Sequence, residues 1–206
     1  GLVIKKLQRI EKKDFGLLLF LAFLEPFMYF LGETNGLNHV SATVSSVLIA
    51  LIPLLSPFAA WLFYRENVTF LNFVGIFISF FGVTLVILND DYSFNASAKG
   101  ILLMTLAVIC AIGYSVVVIR AVRKYNIFTI ITIQTMLGAI YFLPLFFIFD
   151  YQDFTHFKMG IDIWIPLVGL AILASSLAFM LFTYGIKVLG IIKANTISNA
   201  IPVFTA

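Results

Sequence analysis

Charge is scarce in this chain. Of its 206 residues 11% are charged, against roughly 25% in soluble domains. So few charges cannot cover a water-facing surface, which excludes an ordinary soluble fold. Cysteine is all but absent: Cys110 stands alone, so no intrachain disulfide and no CxxC metal or redox pair can form. It lies inside an apolar run and reads as a packing residue. No GxxxxGK[ST] loop occurs, so no nucleotide-driven motor is encoded. No HExxH motif or Cys/His cluster offers a metal site, and no cofactor is expected. His39 and His156 fall outside the apolar runs, so no Ser-His-Asp set can assemble within them. A signal peptide of the usual layout is missing. The chain starts at Gly1 and stops within the apolar run 201–206, which is expected of a fragment cut at both ends.

What is abundant is apolar length. The chain is 62% hydrophobic with 23 Phe, and its mean hydropathy is +1.07. A helix crossing about 30 Å of hydrocarbon needs about 20 apolar residues. Runs free of Asp, Glu, Lys and Arg cover 40–64, 67–89, 100–119, 125–149 and 163–186. Residues 15–32 form a sixth candidate, holding one acid, Glu25, and ending at Glu33. A seventh begins near Gly190 and is truncated. The fold class expected is therefore an all-α polytopic membrane protein with about seven helices, in an antiparallel bundle.

Charge placement orients the bundle. With alternate loops on opposite sides, one side holds 11 of the 13 Lys and Arg: Lys5, Lys6, Arg9, Lys12, Lys13, Arg65, Arg120, Arg123, Lys124, Lys187 and Lys193. The other holds Lys99 and Lys158. The positive-inside rule puts the first side, including residues 1–14, in the cytoplasm. The net charge of +3 is thereby a matter of topology, and no nucleic-acid partner is expected.

A weak internal repeat follows. Shifting the sequence from 34 to 183 places Thr34 on Thr183, Gly36 on Gly185, Leu37 on Ile186, Ile52 on Ile201 and Pro53 on Pro202. Five spans separate equivalent helices, and an odd period inverts the second copy, as in many secondary transporters. The expected whole is a ten-helix inverted repeat, five plus five. Residues 1–89 are read as the last three helices of the first repeat. Residues 100–206 are read as the second repeat, truncated in its fourth helix.

Leu51-Ile52-Pro53-Leu54, Tyr64-Arg65-Glu66, Gly75 and Gly82-Val83 resemble the first-repeat signature of EamA-type permeases, in the drug/metabolite transporter superfamily. Gly185-Ile186-Lys187-Val188-Leu189-Gly190 and Asn199-Ala200-Ile201-Pro202-Val203 are similar to the matching second-repeat signature. The resemblance implies that these spans are family helices 3 to 8 and the start of 9. It also implies a carrier in the inner (cytoplasmic) membrane that exports small amino-acid-like or drug-like solutes, with a central cavity between two halves. Glu66 matches the family's loop acid and is expected to be structural.

Glu25 is the residue with most to explain. It lies about ten residues into its span, where a carboxylate costs several kcal/mol unless it faces a cavity or is neutralised. Tyr29 at i+4 and Glu33 at i+8 are expected to share a broad helical face with it, with about 80° of drift. The expectation is that Glu25 titrates during transport, with a proton as candidate coupling ion, or meets a cationic substrate group. Thr43 and Ser46 in the second span, Gln134, Tyr184, Asn195 and Asn199 are further candidates for binding a small-molecule substrate. Pro53, Pro57 and Pro202 are candidate kinks that suit cavity-lining helices. For each Ser, Thr or Asn the alternative is plain interhelical hydrogen bonding. Two other functional classes stand beside the carrier: an intramembrane enzyme using Glu25 and Glu33, and a membrane subunit that transports nothing.

Overall fold

The computed structural model describes residues 7–71, 73–78, 81, 97–156 and 160–197. Among these, five helices are long and apolar enough to span a bilayer: α1 (Lys12–Leu37), α2 (Val44–Tyr64), α3 (Ala98–Val122), α4 (Ile127–Asp150) and α5 (Ile161–Leu189). A sixth helix, α6 (Ile191–Ile197), opens the seventh span. The remaining span read from sequence, 67–89, falls about half outside the described residues, and Asn199 and Pro202 lie wholly outside them. Of it, residues 70–71 and 73–78 are helical.

Span α1 runs past Glu33, where the sequence reading ended it. Its polar residues are satisfied locally: the Tyr29 hydroxyl donates to Glu33 Oε1 at 3.0 Å, and Asn35 Nδ2 donates to the Leu31 carbonyl at 2.9 Å. Side chains bonded within their own helix do not force its end.

The centre of the bundle is α3, half of whose apolar stretch is buried. Helix α1 lies along it with little space between them. A Cβ on Gly32 would stand 2.7 Å from the Leu103 carbonyl oxygen, and one on Gly36 would stand 2.7 Å from Met104 Sδ. Small residues at this spacing let backbones approach where lipid gives no hydrophobic drive. A Cβ on Gly138 of α4 would come within 2.5 Å of Pro26, so α4 closes on the other side of α1. The core that results joins Leu18, Leu21 and Ala22 of α1 to Tyr114 and Val118 of α3, Ile130 of α4 and Ile186 of α5. Helix α2 packs on α3 and α6, and α6 on α5. Outward-facing positions are apolar, Phe58, Ile109, Ile140, Ile148 and Leu170 among them, the inside-out pattern that hydrocarbon permits.

Prolines shape α2. A turn at Ala50 separates Ala42–Ile49 from Leu51–Tyr64. Pro53 falls in the first turn after that break and has no N–H to return to Ile49. Pro57, by contrast, leaves its helix unbroken. The Pro53 carbonyl it cannot serve is met by the Ser56 hydroxyl at 3.4 Å.

On the side assigned to the cytoplasm, the segment before α1 is tied to the α3–α4 turn. Gln8 N–H donates to Thr129 Oγ1 at 2.9 Å, and Asn126 N–H donates to Gln8 Oε1 at 2.6 Å. Tyr125 donates to Asp14 Oδ2 at 2.6 Å and accepts from the Glu11 N–H at 3.2 Å. Lys124 pairs with both Glu11 (2.8 Å) and Asp14. Lys124 and Lys13 beside Glu11 hold its carboxyl below the usual carboxylate range. Asp14 and Glu11 together raise the Lys124 ammonium above the ordinary lysine value.

Candidate functional site

Glu25 sits where α1 breaks. Its backbone leaves helical angles (φ −144°, ψ 121°) immediately before Pro26, and helix resumes by Tyr29. The physical cause is Pro26, which lacks an N–H and disfavours helical angles in the residue before it. The single broad face expected for Glu25, Tyr29 and Glu33 is therefore corrected: helical drift cannot be counted across a break. Tyr29 and Glu33 do share a face and are hydrogen-bonded, whereas Glu25 turns separately into the bundle. It is 8% exposed, and its Oε2 has no hydrogen-bond partner among the described residues.

The broken segment packs on α3 and α4, and those helices carry a polar knot. The Tyr114 hydroxyl donates to Gln134 Oε1 at 3.2 Å and pairs with Thr183 Oγ1 at 3.1 Å. All three are buried, so α3, α4 and α5 are joined by one small network. Satisfied networks of this kind fix a unique packing, and each missing member is costly. Tyr114 stands about eight residues, or about 12 Å, from the Val122 end of α3. Its ring stacks on Phe182 and meets Phe179 edge-on. One residue round α3, Ser115 accepts from Asn195 Nδ2 of α6 at 3.2 Å and itself donates to the Ala111 carbonyl at 3.1 Å.

The structure thus brings together Gln134 and Tyr114, places Asn195 against Ser115, and buries Glu25 nearby. Ser46 of α2 is half-buried; the side chain of Thr43 lies outside the described residues. Tyr184 is 57% exposed and faces away from the knot. Thr183, which sequence reasoning passed over, takes the inward place. In the structure Phe179, Thr183 and Ile186 follow i, i+4, i+7 as the inward stripe of α5, while Tyr184 stands 100° round from Thr183.

At the end of the bundle that carries residues 7–14, Glu66, Arg123 and Lys187 line a cleft of about 400 Å³ with Ile119, Val122, Ile186 and Gly190. Glu66 accepts from the Ile191 N–H at 3.4 Å, at the start of α6, which fits the structural role expected of it. Gly190 makes the sharp turn from α5 to α6 at φ +84°, which a Cβ would strain.

These features define a class: a polytopic helical membrane protein with a buried acid and polar knot between its spans. The chain belongs to the EamA-like transporter family, whose sequence profile matches residues 1–88 and 98–206. It is 31% identical over 145 residues to the uncharacterized transporter YdfC of Bacillus subtilis (strain 168), covering 69% of this chain and 47% of that protein. Identity to the uncharacterized transporter YyaM of the same organism is 25% over 173 residues, covering 82% and 56%. An uncharacterized transporter of Archaeoglobus fulgidus is 31% identical over 137 residues, covering 66% and 48%. The chain spans about half the length of the curated relatives it matches.

Proposed function

We propose that this chain is part of a secondary transporter that exports small metabolites across the cytoplasmic membrane by alternating access. Glu25 is the residue at which coupling and substrate meet, and a proton is its coupling ion. One observation carries the reading: a buried carboxylate with an unpartnered oxygen at a break in a membrane helix. Broken helices at mid-membrane are where secondary transporters place substrate and ion sites, and an intramembrane acid marks such pathways. The two separate profile matches, 1–88 and 98–206, support two repeats, with α1 and α2 equivalent to α5 and α6. Tyr114, Gln134 and Thr183 form the floor of the site on its cytoplasmic side. Tyr29 and Glu33 form its wall towards the outer face.

The test uses the full-length protein in proteoliposomes under an imposed pH gradient, with a mixed pool of amino acids and other metabolites. Gradient-driven flux in wild type, lost in Glu25→Gln while the variant remains folded, is the expected result. Equal flux in both proteins removes Glu25 from coupling. No flux of any solute overturns the carrier reading.

A further inference from the structure

We infer that the cleft lined by Arg123 and Lys187 holds the phosphate of an anionic phospholipid, at the end of the bundle that carries residues 7–14. Neither Glu25 nor the polar knot takes part in it.

The first ground is a pair of cations without acidic partners. Arg123 directly follows the last residue of α3, and Lys187 stands two residues before the end of α5. Both line the cleft, at the level where spans give way to lipid head groups. Neither makes an ion pair among the described residues. Lys124, next in the chain, is by contrast engaged by Glu11 and Asp14. Glu66 is the acid lining the cleft. It sits beside Gly190, accepts from the Ile191 N–H and pairs with neither cation. Two bases against one acid leave an excess of one positive charge, which one phosphodiester neutralises.

The second ground is that Arg123 is already held in place. Its guanidinium lies over the Tyr64 ring, 5.4 Å from the centroid. The Tyr64 hydroxyl donates to the Val116 carbonyl at 2.6 Å, which fixes that ring against α3. An arginine seated on an aromatic face keeps its N–H fork free for phosphate oxygens and loses less rotamer freedom on binding. Beneath the cations lie Ile119, Val122 and Ile186, all buried. Low-dielectric walls of this kind strengthen the field of both cations inside the cleft.

The flank of the cleft selects a lipid over a soluble phosphate. Val188 and Leu189 follow Lys187, and Tyr184 stands one turn before it; all three are exposed. Acyl chains cover such a surface, and a tyrosine at this level belongs among head groups. Basic pockets between membrane helices take anionic head groups in the same way.

The experiment titrates dioleoylphosphatidylglycerol, dioleoylphosphatidylcholine and glycerol phosphate into the full-length protein in detergent, with bound molecules counted by native mass spectrometry. Saturable binding of phosphatidylglycerol, with phosphatidylcholine and glycerol phosphate bound far more weakly, is expected. The double variant Arg123→Gln/Lys187→Gln should weaken phosphatidylglycerol by about 10-fold or more and leave phosphatidylcholine unchanged. Arg9→Gln/Lys12→Gln removes the same charge from the same end, outside the cleft, and should bind as wild type does. Tyr64→Phe keeps the ring under Arg123 and should retain most of the affinity; Tyr64→Leu should lose it. If the double variant does not fold, Lys187→Gln alone, at an exposed position, should show a loss of about 5-fold. Equal affinity for the two lipids, or an equal loss in both double variants, overturns the inference. Glycerol phosphate bound as tightly as the lipid, and lost with Arg123 and Lys187, overturns the lipid assignment and gives the cleft to a soluble phosphate ester.

Discussion

Tyr114 holds more of the interior together than any other single polar side chain described. Replacing it by Phe keeps the ring contacts with Phe179 and Phe182 but orphans Gln134 Oε1 and Thr183 Oγ1 in a buried place. The expected cost is about 1–3 kcal/mol, read as a lower melting temperature in detergent. Thr183→Val should cost less, since Tyr114 keeps Gln134; Tyr184→Phe, at an exposed position, should cost nearly nothing. Gly190 gives a second prediction. At φ +84°, and with the Glu66 carboxylate oxygens 3.2–3.3 Å from where a Cβ would stand, Ala strains the turn by about 1–3 kcal/mol, which thermal unfolding would show. Residues such as Glu25 could be picked out from sequence because an acid inside an apolar run is conspicuous. Thr183 was harder, since choosing between it and Tyr184 needs the rotation of α5, which a helix apolar nearly all round leaves unmarked.

Among elements, the spans were the legible part. Uncharged runs at 40–64, 100–119, 125–149 and 163–186 became α2, α3, α4 and α5 with ends shifted by a few residues. Apolar length determines these, and lipid enforces it. The break in α1 was less legible: Pro26 announces a disturbance, but the direction in which Glu25 turns depends on α3 and α4. The fit of α1 against those helices predicts that Gly138→Val, which must displace Pro26, separates α1 from α4. A disulfide engineered between the two helices near that level should form in wild type and be lost in the variant. The tie between residues 8–14 and 124–129 joins positions more than 100 apart, and nothing local in the sequence marks it. The Glu11 carboxyl is held below its usual range, so its pairing with Lys124 is intact at neutral pH. As pH falls through the lowered carboxylate value the pairing is lost. Spin labels at Leu7 and Arg123 should then move apart, and added salt should have the same sense of effect because the groups are exposed.

For the whole molecule, orientation is the property the charge count predicts and a labelling experiment decides. With residues 7–14 inside, a cysteine at His39, in the loop after α1, should react with an impermeant maleimide added to intact cells. One at Gln8 should react only after permeabilisation; the reverse pattern would invert the topology. The repeat expected from Thr34/Thr183, Gly36/Gly185 and Leu37/Ile186 has its remaining anchors, Ile201 and Pro202, outside the described residues.

The close fit of α1 against two later helices also bears on how the protein is made. Helix α1 leaves the ribosome well before residues 98–150 exist, so Gly32, Gly36 and the Glu25–Pro26 break enter the membrane without the surfaces that receive them. Until α3 and α4 arrive, a carboxylate and a notched, glycine-lined face are open to lipid. That interval is when a membrane-embedded chaperone can hold the nascent chain and a quality-control protease can recognise it. A chain stalled after residue 97 should be cleared quickly, and one stalled after residue 156 should persist.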